Sequence, residues 1–161
     1  MTDNTKPEYL IDASAIFNDA FKILNKELNN RITIADNGGN GKGCAIMIPS
    51  TVILALSIEL GIKALLYKKD NNLTKGHKID ELYSKLDQYR KDRISKYTCS
   101  HLKIDDNKFS ELFLKNNSTF IDWRYFFEKD NNVDYGFLGH LNDAIQNELL
   151  ITDDNTEIEI Y

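Results

Sequence analysis

Apolar and polar positions along the chain repeat with the period of an α-helix over most of its length. In residues 8–29 the apolar side chains follow the i, i+3, i+4, i+7 spacing of one helical face. Pro7 at the start and the Asn29–Asn30 pair at the end suit the two boundaries. The spacing predicts a first helix whose inward face carries Ala13, Ile16, Phe17, Ala20, Phe21, Leu24 and Leu28.

Residues 31–48 break this period and predict a long connection. Four of the eight glycines lie between positions 38 and 43, and the flanking residues alternate between apolar and polar. The run GGNGKG lacks both the earlier Gly and the following Ser or Thr that a phosphate-binding P-loop needs. We therefore expect one long Gly-rich loop, either flexible throughout or containing a short hairpin.

A nearly continuous apolar segment follows Pro49 and indicates the centre of the fold. The run STVILALSIELGIKALLYKK is apolar on almost every side and rich in good helix formers, so we expect the buried central helix of a bundle. We expect no membrane span and no membrane partner, because the apolar run is interrupted at Ser57, Glu59, Gly61 and Lys63.

The second half of the chain predicts three or four further helices. They are a basic amphipathic helix over residues 77–97, a helix near 108–115 after a polar connection at 98–107, an aromatic-rich helix from 118 or 119, and a last helix over about 135–150. The predicted fold class is all-α, an up-and-down bundle of five or six helices with one long loop.

The composition of the 161-residue chain, with 42% apolar side chains, fits one compact domain, which we place at residues 1–150 before an acidic tail at 151–161. The net charge of −5 is unevenly distributed, since residues 63–103 hold eleven basic and five acidic side chains. That segment is either a positive surface for a polyanion or a solvated helix face paired with acidic neighbours.

The sequence lacks the motifs of several common kinds of site and signal. The first ten residues lack the basic and apolar regions of a secretory signal, which predicts a cytoplasmic protein. Cys44 and Cys99 have no metal-ligand spacing, and no two histidines lie three or four residues apart, so we expect no metal and no cofactor. A Gly-x-Ser-x-Gly nucleophile motif does not occur either.

The remaining candidates for a functional site are polar residues on predicted helices. Glu59 and Lys63 are four residues apart and can pair, either as an internal brace or as a functional polar spot. His77 follows Gly76 at a predicted helix start, where it can cap the helix, bind a phosphate or stack on a neighbour. Arg124 and Glu128 form either an ordinary ion pair or a bidentate grip on a carboxylate or phosphate.

Some of these residues lie in segments that resemble a known family. The run from Leu54 to Leu86 resembles the signature of the HEPN domain superfamily: an apolar helix with Glu and Lys four apart, a short loop, then Gly-His and another helix. FIDWRYFFE is similar to the later Arg-Tyr helix of those domains, and FLGHLNDAIQNEL to their closing helix. The resemblance spans about residues 8–150.

The resemblance implies a homodimeric helical bundle with a role in prokaryotic defence, toxin–antitoxin or stress systems and in nucleotide or RNA handling. Many HEPN domains are metal-independent endoribonucleases with an Arg followed four to six residues later by a His. That pattern is absent here, and Arg124 is the position most similar to the family's arginine. We therefore expect a non-catalytic dimerising or nucleotide- or RNA-binding module, with a protein partner encoded nearby as a further possibility.

Two alternatives stay open. One is a metal-independent ribonuclease in which Arg124 and His77 converge, and the other is a purely structural interaction protein. In the non-catalytic case the resemblance implies a polar network, lining a pocket or keeping the central helices in register, that consists of Glu59, Lys63, His77, Arg124 and Glu128.

Overall fold

A computed structural model of the chain describes residues 7–36, 44–71, 73–117 and 133–151. Regular secondary structure in these ranges is entirely helical, which confirms the all-α prediction. The described helices are α1 (Pro7–Asp36), α2 (Cys44–Asp70), α3 (Ile79–Ser84), α4 (Gln88–Leu102), α5 (Asp106–Lys115) and α6 (Tyr135–Leu150).

Helix α2 lies at the centre of the bundle, as the sequence predicts. It packs along α1 and also contacts α6 and α3, while α4 packs against α6. Leu54, Ile58, Ile62 and Leu65 are completely buried, and they meet an equally buried face of α6. Because α2 is enclosed on several sides, its sequence is apolar all round rather than striped.

Helix α2 is also long and apolar enough to cross a membrane, over Ala45–Asp70, when length and composition alone are considered. The expectation that polar interruptions make α2 too polar to cross a membrane is therefore wrong. Half of its most apolar window is buried inside the bundle, and the core helix of a soluble protein meets the same criterion.

The long loop predicted at residues 31–48 is shorter than expected. Helix α1 runs on to Asp36 and α2 begins at Cys44, so both flanks of the glycine run are helical and form no hairpin. Pro49 lies inside α2 instead of opening it. Short alternating runs fit a helix as well as a strand, and here they extend two long neighbouring helices. Residues 37–43, with the glycines, lie outside the described residues.

The single basic helix predicted over residues 77–97 is two helices. Asp87 interrupts it, because its side chain accepts a hydrogen bond from the backbone N–H of Arg90 at 2.9 Å and caps the start of α4. The polar connection predicted at 98–107 is also largely wrong, since α4 continues to Leu102. Only residues 103–105 separate it from α5.

The inward face of α1 differs from the predicted stripe. Phe21 and Leu28 are buried, but Ile16 is 66% exposed, so its assignment to the core is wrong. Ser14 and Asn18 occupy buried positions on this face. Helix α1 carries apolar residues on two sides, and periodicity alone does not say which side meets α2. The aromatic-rich helix predicted from 118 or 119 falls outside the described ranges.

Candidate functional site

A buried carboxylate on α2 is the starting point of the candidate site. Glu59 is only 2% exposed, and its Oε1 accepts a hydrogen bond from Lys63 Nζ at 2.8 Å. The predicted i,i+4 pair therefore forms. A buried carboxylate is costly to desolvate, so its partners contribute more here than an ion pair on an exposed helix face would.

His77 approaches the same oxygen from the segment that joins α2 to α3. The chain passes Gly76 with a φ of +111°, a conformation that favours glycine, and places His77 Nδ1 2.9 Å from Glu59 Oε1. Helix α3 begins two residues later at Ile79, and its N-cap position is Lys78. Of the three alternatives for His77, helix capping is therefore wrong.

Glu59, Lys63 and His77 together form what we call the Glu59 cluster. The His77 side chain is 59% exposed, whereas Glu59 is enclosed behind it. Because the carboxylate accepts a hydrogen bond from Nδ1, the carboxylate fixes the tautomer and orientation of the imidazole. The arrangement can present an oriented imidazole, neutral or cationic, to a ligand.

The other carboxylate oxygen of Glu59 meets no donor from the described residues. Oε2 is buried and has no hydrogen-bond partner within the part of the chain that the structure describes. Arg124 and Glu128, the two remaining members of the predicted network, lie outside that part. Their contribution to the site, and the convergence of Arg124 with His77, stay predictions.

Several basic side chains of residues 63–103 are engaged with nearby carboxylates. These pairs are Lys63–Glu59, Lys78–Glu81, Arg90–Asp87 and Arg93–Glu148. The last joins α4 to α6, with Arg93 Nε 3.0 Å from Glu148 Oε2. Part of the positive excess on α4 is thus neutralised locally, whereas Lys75, two residues before His77, is exposed.

A second polar cluster lies where α1, α2 and α6 meet, and sequence analysis missed it. Ser14 and Ser57 donate hydrogen bonds to each other's backbone carbonyl oxygens, at 3.0 and 3.1 Å. Asn142 Oδ1 lies 2.8 Å from Ser57 Oγ and shares the single hydroxyl proton of Ser57 with the Ser14 carbonyl, while Asn142 Nδ2 donates to Asn18 Oδ1 at 2.7 Å. Gln146 Nε2 donates to Ser14 Oγ at 2.8 Å. We call these five residues the enclosed network.

Close helix packing accompanies the enclosed network. A Cβ at Gly61 would lie 2.6 Å from Ile145 Cγ2 and 3.1 Å from Ser14 Oγ, so only glycine fits there. The sequence signal that could have located this contact is Gly61 itself, an isolated glycine inside an otherwise strong helical pattern. The network explains why small and polar residues occupy core positions of α1 and α6.

His101, His140 and Cys99 do not join the Glu59 cluster. His101 stacks on Tyr97 in the last turns of α4, with ring centroids 4.0 Å apart, and the His140 ring lies 5.6 Å away. Burial and the charges of Asp106 and Asp105 raise the pKa of the Cys99 thiol, which keeps it protonated and weakly nucleophilic.

A groove of about 420 Å³ lies between α1 and α6, away from the Glu59 cluster. Its lining is mainly apolar and includes Phe21, Leu28, Met47, Tyr135, His140 and Asp143. Burial raises the pKa of the Tyr135 hydroxyl, which hydrogen-bonds Ser50. Because its carboxylate is negative, the groove is a poorer fit to a phosphate than the surface around His77.

Comparison with protein-family models, curated proteins and solved structures finds no match to the chain. Over the described ranges, no group of three or more His, Cys, Asp or Glu side chains converges on a metal position. The functional assignment therefore depends on the geometry of the Glu59 cluster and on its sequence context.

Proposed function

We propose that this chain is a HEPN-like helical module that binds a nucleotide or RNA without cleaving it and acts as a homodimer. The binding site is the Glu59 cluster, with Arg124 and Glu128 as its further members. By the family resemblance, the module works in a prokaryotic defence, toxin–antitoxin or stress system and has a protein partner encoded nearby.

One observation carries this proposal: a buried carboxylate holds an exposed imidazole in place. Glu59 accepts from both Lys63 and His77, and His77 is largely exposed. A buried ion pair by itself is weak evidence for a role in stability, because an apolar pair of similar size packs as well without the desolvation cost. Using such a carboxylate to orient a surface side chain is typical of a binding or catalytic site.

The charges around His77 suit a phosphate. Glu59 and Lys63 neutralise each other, so the surface charge comes from His77 when protonated and from Lys75 and Lys78, which are both exposed. Lys78 pairs with Glu81 on the surface, but such exposed pairs contribute little and exchange readily for a ligand anion. An imidazole and two exposed ammonium groups thus lie within four residues of the chain, and a phosphate bound there can draw on all three.

The test is binding of fluorescently labelled single-stranded RNA and of nucleotides in EDTA, at about 50 and 200 mM salt. Wild type should bind, and more weakly at the higher salt. His77→Ala should weaken binding about tenfold, the effect of losing one charge-assisted contact. His101→Ala is the matched control, since His101 is also exposed but lies in α4, and it should bind like wild type. Absence of binding by wild type would overturn the proposal and favour a structural interaction protein.

A ribonuclease is the second candidate, and the orientation of His77 favours it. A carboxylate that accepts from Nδ1 fixes the tautomer and orientation of the ring, which is how a general acid–base imidazole is positioned. In this case Arg124 would stabilise the developing phosphorane charge while His77 takes the proton of the ribose 2′-OH.

Incubation of several RNAs with the protein in EDTA separates the two candidates. Cleavage that disappears in both His77→Ala and Arg124→Ala, but persists in His101→Ala, would replace the non-catalytic proposal with the ribonuclease. Binding of RNA by wild type without cleavage of any of them would contradict the ribonuclease.

A further inference from the structure

The outward side of α1 carries a regular apolar stripe. Tyr9, Ile16 and Ile23 are 58%, 66% and 70% exposed, and they lie seven residues apart. Ala13 and Ala20 fall between them, so the spacing alternates between four and three residues. This is the spacing found in a coiled-coil seam, where apolar side chains repeat every 3.5 residues on average. We call these five residues the outer seam.

The outer seam is separate from the side of α1 that packs in the bundle. Ser14, Asn18, Phe21 and Leu28 are buried against α2 and α6. At 100° per residue, the outer seam lies more than a quarter turn around the helix from them. Helix α1 therefore has one packed face and a second apolar face on which Tyr9, Ile16 and Ile23 are exposed and the two alanines between them are half-buried. Exposed apolar surface of this kind marks interaction sites.

The sizes of the side chains indicate which partner fits. If a second α1 lies antiparallel on the seam, the four central layers pair a large side chain with a small one, because Ala13 meets Ile23 of the other copy and Ile16 meets Ala20. The outermost layers place Tyr9 against Glu27 of the other copy. A parallel pair would instead stack Ala on Ala and Ile on Ile. Alternation of large and small residues across facing positions is what close packing requires.

The charges beside the seam have the same antiparallel complementarity. Asp12 and Lys26 occupy equivalent positions along the flank of the seam, fourteen residues or about 21 Å apart, too far to pair within one helix. In the antiparallel arrangement, Asp12 of each copy faces Lys26 of the other copy. The interface therefore contains two Asp12–Lys26 pairs. Asp19 lies midway between them and meets its own copy at the two-fold axis, an unfavourable contact near Lys22.

We propose that the outer seam is the homodimer interface of this protein and that two α1 helices pair antiparallel about a two-fold axis near residue 18. The inference rests on the homodimer part of the proposed function and is independent of RNA binding. The interface is isologous, with the same patch used by both copies.

The apolar part of this proposal is tested by sedimentation equilibrium over a wide concentration range. Wild type should dimerise reversibly, and Ile16→Lys should raise the dimer dissociation constant at least about tenfold. Leu114→Lys is the matched control, because Leu114 is also 66% exposed and lies on α5, and it should leave dimerisation unchanged. Circular dichroism should show equal helix content in all three proteins.

Charge reversal tests the antiparallel orientation. Asp12→Lys and Lys26→Asp should each weaken the dimer about three- to tenfold, because each places like charges face to face twice. The double variant should restore wild-type affinity, since both contacts are reversed together. Asp19→Asn should strengthen the dimer about twofold by removing the contact at the axis.

The possible failures are distinguishable. A wild-type protein that is monomeric throughout would overturn both this interface and the homodimer part of the proposed function. A dimer that Ile16→Lys leaves intact would overturn the interface alone. A double variant whose loss of dimer affinity equals the sum of the two single losses would overturn the antiparallel orientation.

Discussion

The enclosed network and the Glu59 cluster begin only two residues apart on α2, yet they have opposite properties. Ser57 is completely buried and faces α1 and α6, where neutral amides and hydroxyls satisfy one another. Glu59 is equally enclosed, but it carries charge and reaches out to the exposed His77. Two residues along a helix rotate by about 200°, so one helix supports both clusters on opposite faces.

The difference between the two clusters indicates that one serves the stability of the fold and the other serves binding. A neutral network in which donors meet acceptors fixes how α1, α2 and α6 sit against each other. The Glu59 cluster leaves one buried carboxylate oxygen without a described partner and places its imidazole at the surface, which is a poor way to gain stability. The enclosed network should therefore determine stability and the Glu59 cluster should determine binding, and each prediction below tests that division.

The largest expected effect is on stability at the enclosed network. Asn142→Ala removes two hydrogen bonds from a completely buried position and leaves a cavity beside Asn18 and Ser57. It should lower the free energy of unfolding by about 3 to 4 kcal/mol, measured by urea denaturation. Asn147→Ala, at an exposed position of the same helix, is the control and should cost less than about 0.5 kcal/mol.

A smaller loss of stability is expected when the lysine partner of Glu59 is replaced. Lys63→Met leaves the buried carboxylate with His77 as its remaining partner in this cluster and should cost about 2 to 3 kcal/mol. Lys69→Met, at an exposed position of α2, is the control and should be nearly neutral.

The double variant with Glu59→Leu and Lys63→Met tests why the pair is present. It should recover most of the stability lost in the single variant, because an apolar pair has no buried charge, but it should not bind RNA. A double variant that binds RNA like wild type would contradict the assignment of the site to the Glu59 cluster.

Gly76 links the backbone to the site and should affect binding more than stability. Its φ of +111° is unfavourable for alanine, although no atom lies within 4 Å of a Cβ built there. Gly76→Ala should cost about 1 kcal/mol and displace His77 from Glu59, reducing RNA affinity severalfold. Gly139→Ala is the control, because Gly139 lies inside α6, a Cβ there also meets nothing within 4 Å and no positive φ is involved. It should stabilise the fold by about 0.5 to 1 kcal/mol and leave RNA affinity unchanged.

The smallest effect concerns pH and the cap of α4. Burial acts to raise the pKa of Asp87, but the backbone N–H and guanidinium of Arg90 outweigh it and lower the pKa overall. A lowered folded-state pKa means that Asp87 stabilises the fold above the ordinary carboxyl range and that this stabilisation is lost as pH falls through the lowered value.

Asp87→Ala should therefore cost about 1 kcal/mol at pH 7 and less near pH 3, as measured by denaturation at both pH values. The enclosed network has no titratable member, so the cost of Asn142→Ala should stay constant over the same range. A cost of Asp87→Ala that grows as pH falls would contradict the assigned sign.

The sequence predicts the central features of this fold because they depend on strong local signals. The all-round apolar character of α2 marks the core helix, and the spacing of Glu59 and Lys63 predicts their pair. The contact of His77 with Glu59 was anticipated only through a family resemblance, since the two residues are eighteen positions apart.

The features that sequence analysis missed depend on long-range partners or on competing local signals. Ser14 and Asn142 look like surface residues in a periodic pattern, because their hydrogen-bond partners lie on other helices and nothing local indicates them. The core assignment of Ile16 is wrong because α1 has two apolar faces and periodicity does not show which of them packs against α2. Asp87 divides a helix whose periodicity continues through the break, because an N-cap competes with helix continuation.

The central claim, that the Glu59 cluster is the binding site, is tested most directly by NMR of the histidine side-chain nitrogens, with and without single-stranded RNA. The free protein should show His77 protonated on Nδ1, and addition of RNA should shift the Nε2 signal of His77 while leaving His101 unchanged. A His77 whose Nδ1 carries no proton, or whose signals stay fixed while RNA binds elsewhere, would contradict the account.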